Sequence, residues 1–400
     1  MRRVAITGMG FVSSLGLDTK ATWSAMLDGK CGIRPLKNLQ MPGELAQIAA
    51  EVDLPLECPG GRRASFCERT GLLALQEALR EAAGRSGVQP DCAPDRIGVF
   101  QGASASNLPF SENYLIERAA GKRGFASQVI FQSPSAVTDA VAQRVGAIGS
   151  RSTIMNACSS SLLAIGQAWE QIAAGDLDLA IAGGAEGLCR LTYAGFASLK
   201  AMDAQPCRPF SATRAGMNLG EGAVQIVLEP LDQAMSRGAE ILAEVLGYGA
   251  AMDAHHPTAP HPEGEGAHRA MAMALRISRN NPEDIDLISA HATATPANDG
   301  AECMAIRKAL GQAADKVSVT SSKSQFGHTL GAAGAFAAAV AILCLRHQVV
   351  SPTLRLEDQD PICNLDCTPL KPKERRLRAA LVNSFAFGGN NVCLALKAWK

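Results

Sequence analysis

The sequence predicts an α/β protein whose sheets are mostly buried. Three observations carry that expectation. Short apolar runs alternate with longer stretches of helical periodicity along almost all of its 400 residues. Hydrophobic residues make up 47% of the chain but aromatics only 4%, so the core is built from Ala, Leu, Val and Ile. The 38 glycines suit tight turns and close helix–sheet packing. A chain of this length holds two domains or one large α/β unit.

The elements follow in order. RRVAIT reads as a strand and Asp18 to Leu27 as a helix. Thr70 to Ala83 is helical and RIGVFQG is a strand. STIMNA is a strand followed by a helix from Ser159, which Gly175 ends, and LDLAIAGG is the next strand. GAVQIVLEP and EILAEVLGYGAA are strands flanking a short helix at Asp232 to Arg237. His268 to Arg276 is helical, IDLISAH a strand, Glu302 to Leu310 a helix, KVSVTSS a strand, and Gly331 to Leu345 a helix. AALVNSFAFGGNNVCLALKAW reads as two strands joined by a GGNN turn. No low-complexity linker divides the chain. The element order suggests two halves, split near Pro230, with no sequence repeat to prove duplication.

Several function classes recede. The formal net charge is zero, which argues against a nucleic-acid binder with a broad basic surface. VAITGMGFVSSLG begins like a dinucleotide fingerprint with Gly8 and Gly10, but Ser13 stands where the third glycine is needed. MRRVAITGMG lacks the apolar core of a signal peptide. Leu330 to Leu345 is apolar but short of a bilayer span of ~20 residues, so a buried helix is expected and no membrane. The twelve cysteines, without an export signal, read as reduced thiols of a cytoplasmic protein. With no CxxC and no HExxH, no metal site is expected.

The chemistry gathers at a few strand ends. In NACSSS, Cys158 follows a strand and opens a helix, where unpaired N–H groups and the dipole favour an anion. That position is expected to lower the thiol pKa and to hold an oxyanion. Taken alone, Cys158 is equally a small core residue beside helix-capping serines, Ser159 to Ser161. His291 ends IDLISAH, and His328 lies in SSKSQFGH before the helix from Gly331. Each stands where a strand gives way to a loop, the side on which α/β sheets bind ligands. NSFAFGGNN has glycines that let backbone N–H groups approach a ligand, and it is equally an ordinary turn. Together the set suits carbon–carbon bond formation on thioesters. The cysteine takes an acyl group, and two neutral imidazoles donate hydrogen bonds to a thioester carbonyl as it becomes an enolate. Lys323 lies five residues before His328, and both a supporting electrostatic role and direct proton transfer are open to it.

NACSSS, HATATP, SSKSQFGH with GAAG, and NSFAFGG, together with ITGMG, AGGAE (Ala182 to Glu186) and RPFSATRAGMNLGEGA (Arg208 to Ala223), resemble the condensing enzymes. These are the elongating β-ketoacyl-acyl-carrier-protein synthases of fatty-acid and type II polyketide synthesis, and the motifs run in order along the whole chain. The resemblance implies the thiolase fold, with two related halves, 1–230 and 231–400, in a five-layer α-β-α-β-α stack. It implies that Cys158 is the acyl-accepting nucleophile, that His291 and His328 promote decarboxylation of malonyl-carrier protein, and that Lys323 accompanies them. It places the oxyanion hole at the backbone N–H groups of Cys158 and Phe387, with Phe387 and Phe385 at the gate. Thr293 and Thr295 are implied as pantetheine-binding, Asp299 and Glu302 as supporting, and Arg62, Arg63 and Lys200 as contacts for an acidic acyl carrier protein. No cofactor is implied, since substrates ride on the carrier's phosphopantetheine. The partner subunit is an identical chain or a related chain-length-factor-like one.

Two histidines with a lysine speak against the initiating synthases, whose set is Cys-His-Asn. Cys393 lacks the CxGGG context of a degradative thiolase, and a non-catalytic chain-length-factor-like partner generally lacks the nucleophile. The departures from fatty-acid members are Ala292 for a glycine, Asn298-Asp299 for Gly-Asp, Ser211 and Ala215 for aspartates, Ala386 for the glycine before Phe387, and Ala337 for a glutamate. Ala386 puts the mobility of the gate in doubt. Ala337 removes a group that holds the lysine and a structural cation in relatives, so Lys323 is expected to pair with Glu302 or Asp299. The departures tilt the reading from housekeeping fatty-acid elongation towards a specialised polyketide-like or polyene pathway.

Overall fold

A computed structural model describes residues 1–41, 48–55, 57–60, 64–84 and 92–399. Ten strands form its main sheet: β1 (Val4–Val12), β2 (Ile97–Gly102), β3 (Arg151–Ile154), β4 (Leu179–Glu186), β5 (Gly222–Pro230), β6 (Ala243–Met252), β7 (Leu287–Ser289), β8 (Ser318–Thr320), β9 (Ala379–Ala386) and β10 (Asn390–Ala398). Their spatial order is β8-β7-β9-β10-β6-β1-β5-β4-β2-β3. The first five strands lie in the order 3-2-4-5-1, and adding five to each number gives the order of the second five. The two sets meet where β1 pairs antiparallel with β6, Ala5 opposite Glu244.

The layers follow from what each helix can bury. The α-helices of six or more residues among those described are α1 (Thr19–Leu27), α2 (Phe66–Ala83), α3 (Pro109–Ala119), α4 (Ala136–Val145), α5 (Ser160–Ala174), α6 (Arg190–Ser198), α7 (Leu231–Ser236), α8 (Glu265–Ser278), α9 (Asn298–Leu310) and α10 (Ala333–His347). α10 is apolar almost all round and α5 is buried along most of its length; the two pack on each other and touch strands of both sets. They form the middle layer. α2 and α4 cover the outer face of the first set, and α8, backed by α9, covers that of the second. The apolar stretch from Leu330 to His347 is 89% buried in this middle layer, as the sequence led us to expect.

The glycines of ITGMG have a packing reason. A Cβ at Gly8 would lie 2.1 Å from the carbonyl oxygen of Ala78, and one at Gly10 would lie 1.8 Å from that of Ala74. They let α2 lie directly on β1, the role of a glycine in close helix–strand contact.

The differences from the sequence reading lie at element ends and in one region. GAVQIVLEP coincides with β5. α2 starts four residues before Thr70, because Ser65 and Glu68 form a capping box in front of it. STIMNA, IDLISAH and KVSVTSS contain shorter strands, since their last residues turn into the site. α3, α4 and α6 went unread. α3 has no buried residue and α6 buries only Tyr193, so neither shows a broad apolar stripe.

Candidate active site

Cys158 sits in a single 3-10 turn, Ala157–Ser159, between β3 and α5. Ala157 has φ +48°, which turns the chain sharply and aims the next side chain at the sheet end. The serines lock this turn. The Ser160 hydroxyl donates to the carbonyl of Ala157 and accepts from the Asn156 N–H at 2.7 Å. Ser159 donates to the Asn156 carbonyl at 2.9 Å, and Ser161 accepts from the N–H of Ala335 in α10. None makes a side-chain cap on α5, which corrects the expected capping role. The Ser384 hydroxyl of β9 donates to the carbonyl of Cys158 at 2.9 Å.

The thiol departs from expectation. Burial pushes Cys158 up to about 11, against the opposing pull of Lys323 and of the N–H groups of Cys158 and Phe387. Those two N–H groups converge on the sulfur, but burial outweighs the helix terminus. At neutral pH Cys158 is therefore a thiol, which must lose its proton before it can attack a thioester.

Two neutral imidazoles stand beside it. The rings of His291 and His328 lie 5.4 Å apart, edge to face. Burial first, then the neighbouring Lys323, holds both well below the ordinary imidazole range, and at His291 the charge of His328 lowers it further. The N–H of Leu330 donates to Nδ1 of His328 at 3.1 Å. That acceptor role leaves the proton on Nε2. At His291, Nδ1 lies 3.5 Å from Nζ of Lys323, so an ammonium there fixes the same tautomer. Both rings then present Nε2–H donors.

Lys323 opens a short helix, Lys323–Phe326, after β8. Burial brings it down to about 8, with Glu302 opposing. Its Nζ donates to the carbonyl of His291 and forms no ion pair with Glu302 or Asp299, contrary to expectation. Those carboxylates hold backbone instead. Glu302 accepts from the N–H groups of His291 at 2.9 Å and Ala292 at 2.7 Å, and from Asn383 at 3.1 Å. Asp299 accepts from Phe210 at 2.8 Å and Ala294 at 3.0 Å. Burial raises Glu302, and carries Asp299 up to about 6.

A cavity of about 270 Å³ opens onto these groups. Its lining includes Cys158, His291 and His328 together with Phe385, Phe387, Thr293 and Thr295. The two threonine hydroxyls are 2.9 Å apart. The Phe387 ring packs on Phe196, centroids 5.5 Å apart, and Phe385 on His291 at 5.7 Å. The turn after Phe387 is pinned by Gly388 N–H donating to Pro257 and by Asp253 N–H donating to Gly389. Ala386 is extended, φ −139° and ψ 157°, so nothing in its backbone calls for glycine. Lys200 is exposed at the cavity rim, whereas Arg62 and Arg63 lie outside the described residues. The structure thus gathers Cys158, His291, His328, Lys323, Phe385, Phe387, Thr293 and Thr295 at one end of the sheet. Sequence reading missed Ser384 and Phe196. Ser384 lies in the NSFAFGG motif, but its contact with Cys158 spans 226 residues.

A buried thiol, two Nε2–H donors, a lysine and converging N–H groups, on a doubled five-stranded sheet, define a condensing enzyme of the thiolase fold. The profiles described as β-ketoacyl synthase N-terminal domain and C-terminal domain match residues 1–234 and 242–357, so the chain belongs to the β-ketoacyl synthase family, acyltransferases that form carbon–carbon bonds. Among curated relatives, the 3-oxoacyl-[acyl-carrier-protein] synthase 2 of Coxiella burnetii is 37% identical, over 99% of this chain and 98% of that protein. Among solved structures, the ishigamide ketosynthase/chain length factor superposes with TM-score 0.91 and 31% identity over the full length of both chains. A type II polyketide-synthase acyl-carrier protein in complex with its ketosynthase, bound to the hexaketide, gives 0.91 at 29% identity, again over both full chains.

Proposed function

We propose that this protein catalyses decarboxylative Claisen condensation between an acyl group on Cys158 and malonyl-acyl carrier protein, lengthening the chain by two carbons. The observation that carries the reading is the pair of Nε2–H donors facing a buried thiol beneath converging N–H groups. The thiol of Cys158 attacks the acyl thioester. As the carbon–sulfur bond of the donor thioester breaks, the Cys158 proton passes to the departing pantetheine sulfur. The oxyanion rests on the N–H groups of Cys158 and Phe387. Malonyl thioester then enters along Thr293 and Thr295, and its carbonyl accepts from His291 and His328. The bond to the carboxylate breaks, CO₂ leaves, and the electron pair forms an enolate. The enolate carbon attacks the acyl-cysteine, the carbon–sulfur bond breaks, and the departing Cys158 thiolate takes a proton from solvent.

Residues 1–230 supply the nucleophile, and residues 231–400 supply both histidines and the lysine. No cofactor enters this sequence of steps. Lys200 at the rim, with Arg62 and Arg63, meets the acidic carrier. The partner subunit is an identical chain or a chain-length-factor-like one. The polyketide-type Asn298-Asp299 and the likeness to the ishigamide ketosynthase/chain length factor favour a specialised polyene or polyketide pathway over housekeeping fatty-acid elongation. Twelve free thiols fit a reducing cytoplasm.

A single-turnover experiment tests this. Enzyme carrying an acyl group on Cys158 is mixed with malonyl-carrier protein. The expected outcome is one CO₂ and one β-ketoacyl-carrier product per acyl group. Acyl groups of graded length and unsaturation then separate the pathways. Thiolysis of acetoacetyl-CoA without carrier, and no condensation, would mark a CoA thiolase instead.

A further inference from the structure

The loop that carries Thr293 and Thr295 is held in a conformation L-residues rarely adopt. Ala292 has φ +30° and Ala294 φ +62°, and both are fully buried. Such backbone persists only where its surroundings fix it. On the side of the histidines, Glu302 and Asp299 accept the N–H groups of Ala292 and Ala294. On the other side lies the segment Ser211–Met217. Gly216 N–H donates to the carbonyl of Ala294 at 3.0 Å. The guanidinium of Arg214 donates from Nε to the carbonyl of Thr295 at 3.2 Å and from a terminal nitrogen to that of Pro296 at 3.2 Å. Its other terminal nitrogen donates to the carbonyl of Ser211 at 2.9 Å and pairs with Asp360 at 2.5 Å.

The Arg214 side chain is only 8% exposed, yet every nitrogen of its fork has a partner. Asp360 is itself fixed by the N–H of Ile362 at 3.0 Å. One planar donor therefore grips two successive carbonyls of the threonine loop, and a remote carboxylate fixes the donor's angle. Lysine, with a point charge, cannot reproduce that fork.

We propose that Arg214, oriented by Asp360, is a positioning residue that sets the Thr293 and Thr295 hydroxyls for the pantetheine arm. This rests on the functional reading above, since it presumes a pantetheine-borne substrate. Arg214 touches neither the thiol nor the imidazoles, so its loss acts on substrate capture rather than on the chemistry at Cys158.

The test compares wild type, Arg214→Ala, Arg214→Lys and Asp360→Asn. Two rates are followed: condensation with malonyl-carrier protein, and alkylation of Cys158 by iodoacetamide, which needs no pantetheine contact. KM for the carrier substrate is expected to rise about tenfold in Arg214→Ala, the loss of one or two charge-assisted hydrogen bonds. It is expected to stay raised in Arg214→Lys and to rise several-fold in Asp360→Asn, with kcat and alkylation changed by less than about twofold in each. Added guanidinium ion is expected to restore KM in Arg214→Ala. An unaltered KM in Arg214→Ala and Asp360→Asn overturns the positioning role. So does a fall in alkylation that matches the fall in condensation and resists rescue. If Arg214→Ala does not fold, Asp360→Asn, whose side chain is partly exposed, decides alone. Wild type that takes no acyl group from carrier protein overturns the functional reading instead, which keeps the two failures distinct.

Discussion

Replacing Lys323 with methionine is expected to make the protein more stable and less active. The lysine is fully buried and titrates near 8 rather than at its ordinary 10.5. Holding it charged at pH 7 therefore costs roughly 3 kcal/mol, at about 1.4 kcal/mol per pH unit. Methionine has a similar reach and no charge. Against that gain stands the lost hydrogen bond to the His291 carbonyl, which from a charged donor is worth about 2 kcal/mol. The net expectation is a stabilisation of about 1 kcal/mol at pH 7, read as a higher urea midpoint. The pH dependence has a definite sign. A lysine whose folded value lies below its unfolded one disfavours folding at pH below 8, and the penalty fades as pH rises to 10.5. The advantage of Lys323→Met is thus expected to vanish over that window. At the same time the ammonium 3.5 Å from His291 opposes an imidazolium there by about 5 kcal/mol at an effective dielectric near 20. Its removal lets His291 take up a proton more readily in acid and frees its tautomer. Decarboxylation of malonyl-carrier protein is expected to fall by roughly tenfold to a hundredfold, with its acid limb displaced to higher pH. A variant that is less stable at pH 7, or that decarboxylates within about threefold of wild type, would refute the reasoning.

Three further substitutions probe other links. Ser384→Ala leaves the buried carbonyl of Cys158 without its hydroxyl partner, at a cost of about 1–2 kcal/mol; single-turnover acylation is expected to slow about tenfold. Gly10→Ala drives a methyl group to 1.8 Å from the Ala74 carbonyl, so α2 must move off β1; chemical denaturation is expected to show a loss of about 3 kcal/mol. Ala386→Gly changes a residue already in extended backbone; acylation is expected to stay within about twofold, and a larger gain would mean that the gate does flex at this residue.

The fold and the site were legible to different depths. Strands such as Gly222–Pro230 were readable because they are mostly apolar, β-branched runs buried on both faces. α3 and α6 bury few residues and carry Leu115, Ile116 and Leu191 outwards, so periodicity had little to mark there, whereas α4 buries Val137, Val141 and Ala142 at helical spacing, a signal the sequence reading missed. Cys158, His291, His328 and Phe387 were readable because each sits in a short motif at a strand end, and the structure brings them together. Electrostatics were not readable. The sequence shows a helix terminus beside Cys158, which favours thiolate, but the burial that reverses this comes from segments hundreds of residues away. The same holds for Lys323. Its expected carboxylate partners sit one helix away, committed to the N–H groups of the threonine loop, and only the folded chain shows that its ammonium meets a carbonyl instead.

The central claim is that one buried thiol among twelve cysteines carries the acyl chain. Intact-mass analysis of the protein after incubation with acyl-carrier protein, followed by peptide mapping, tests it most directly. The account predicts one added acyl group per chain, located on Cys158 and absent from Cys158→Ala. An acyl group on any other cysteine, or a Cys158→Ala protein that is still acylated, would contradict it.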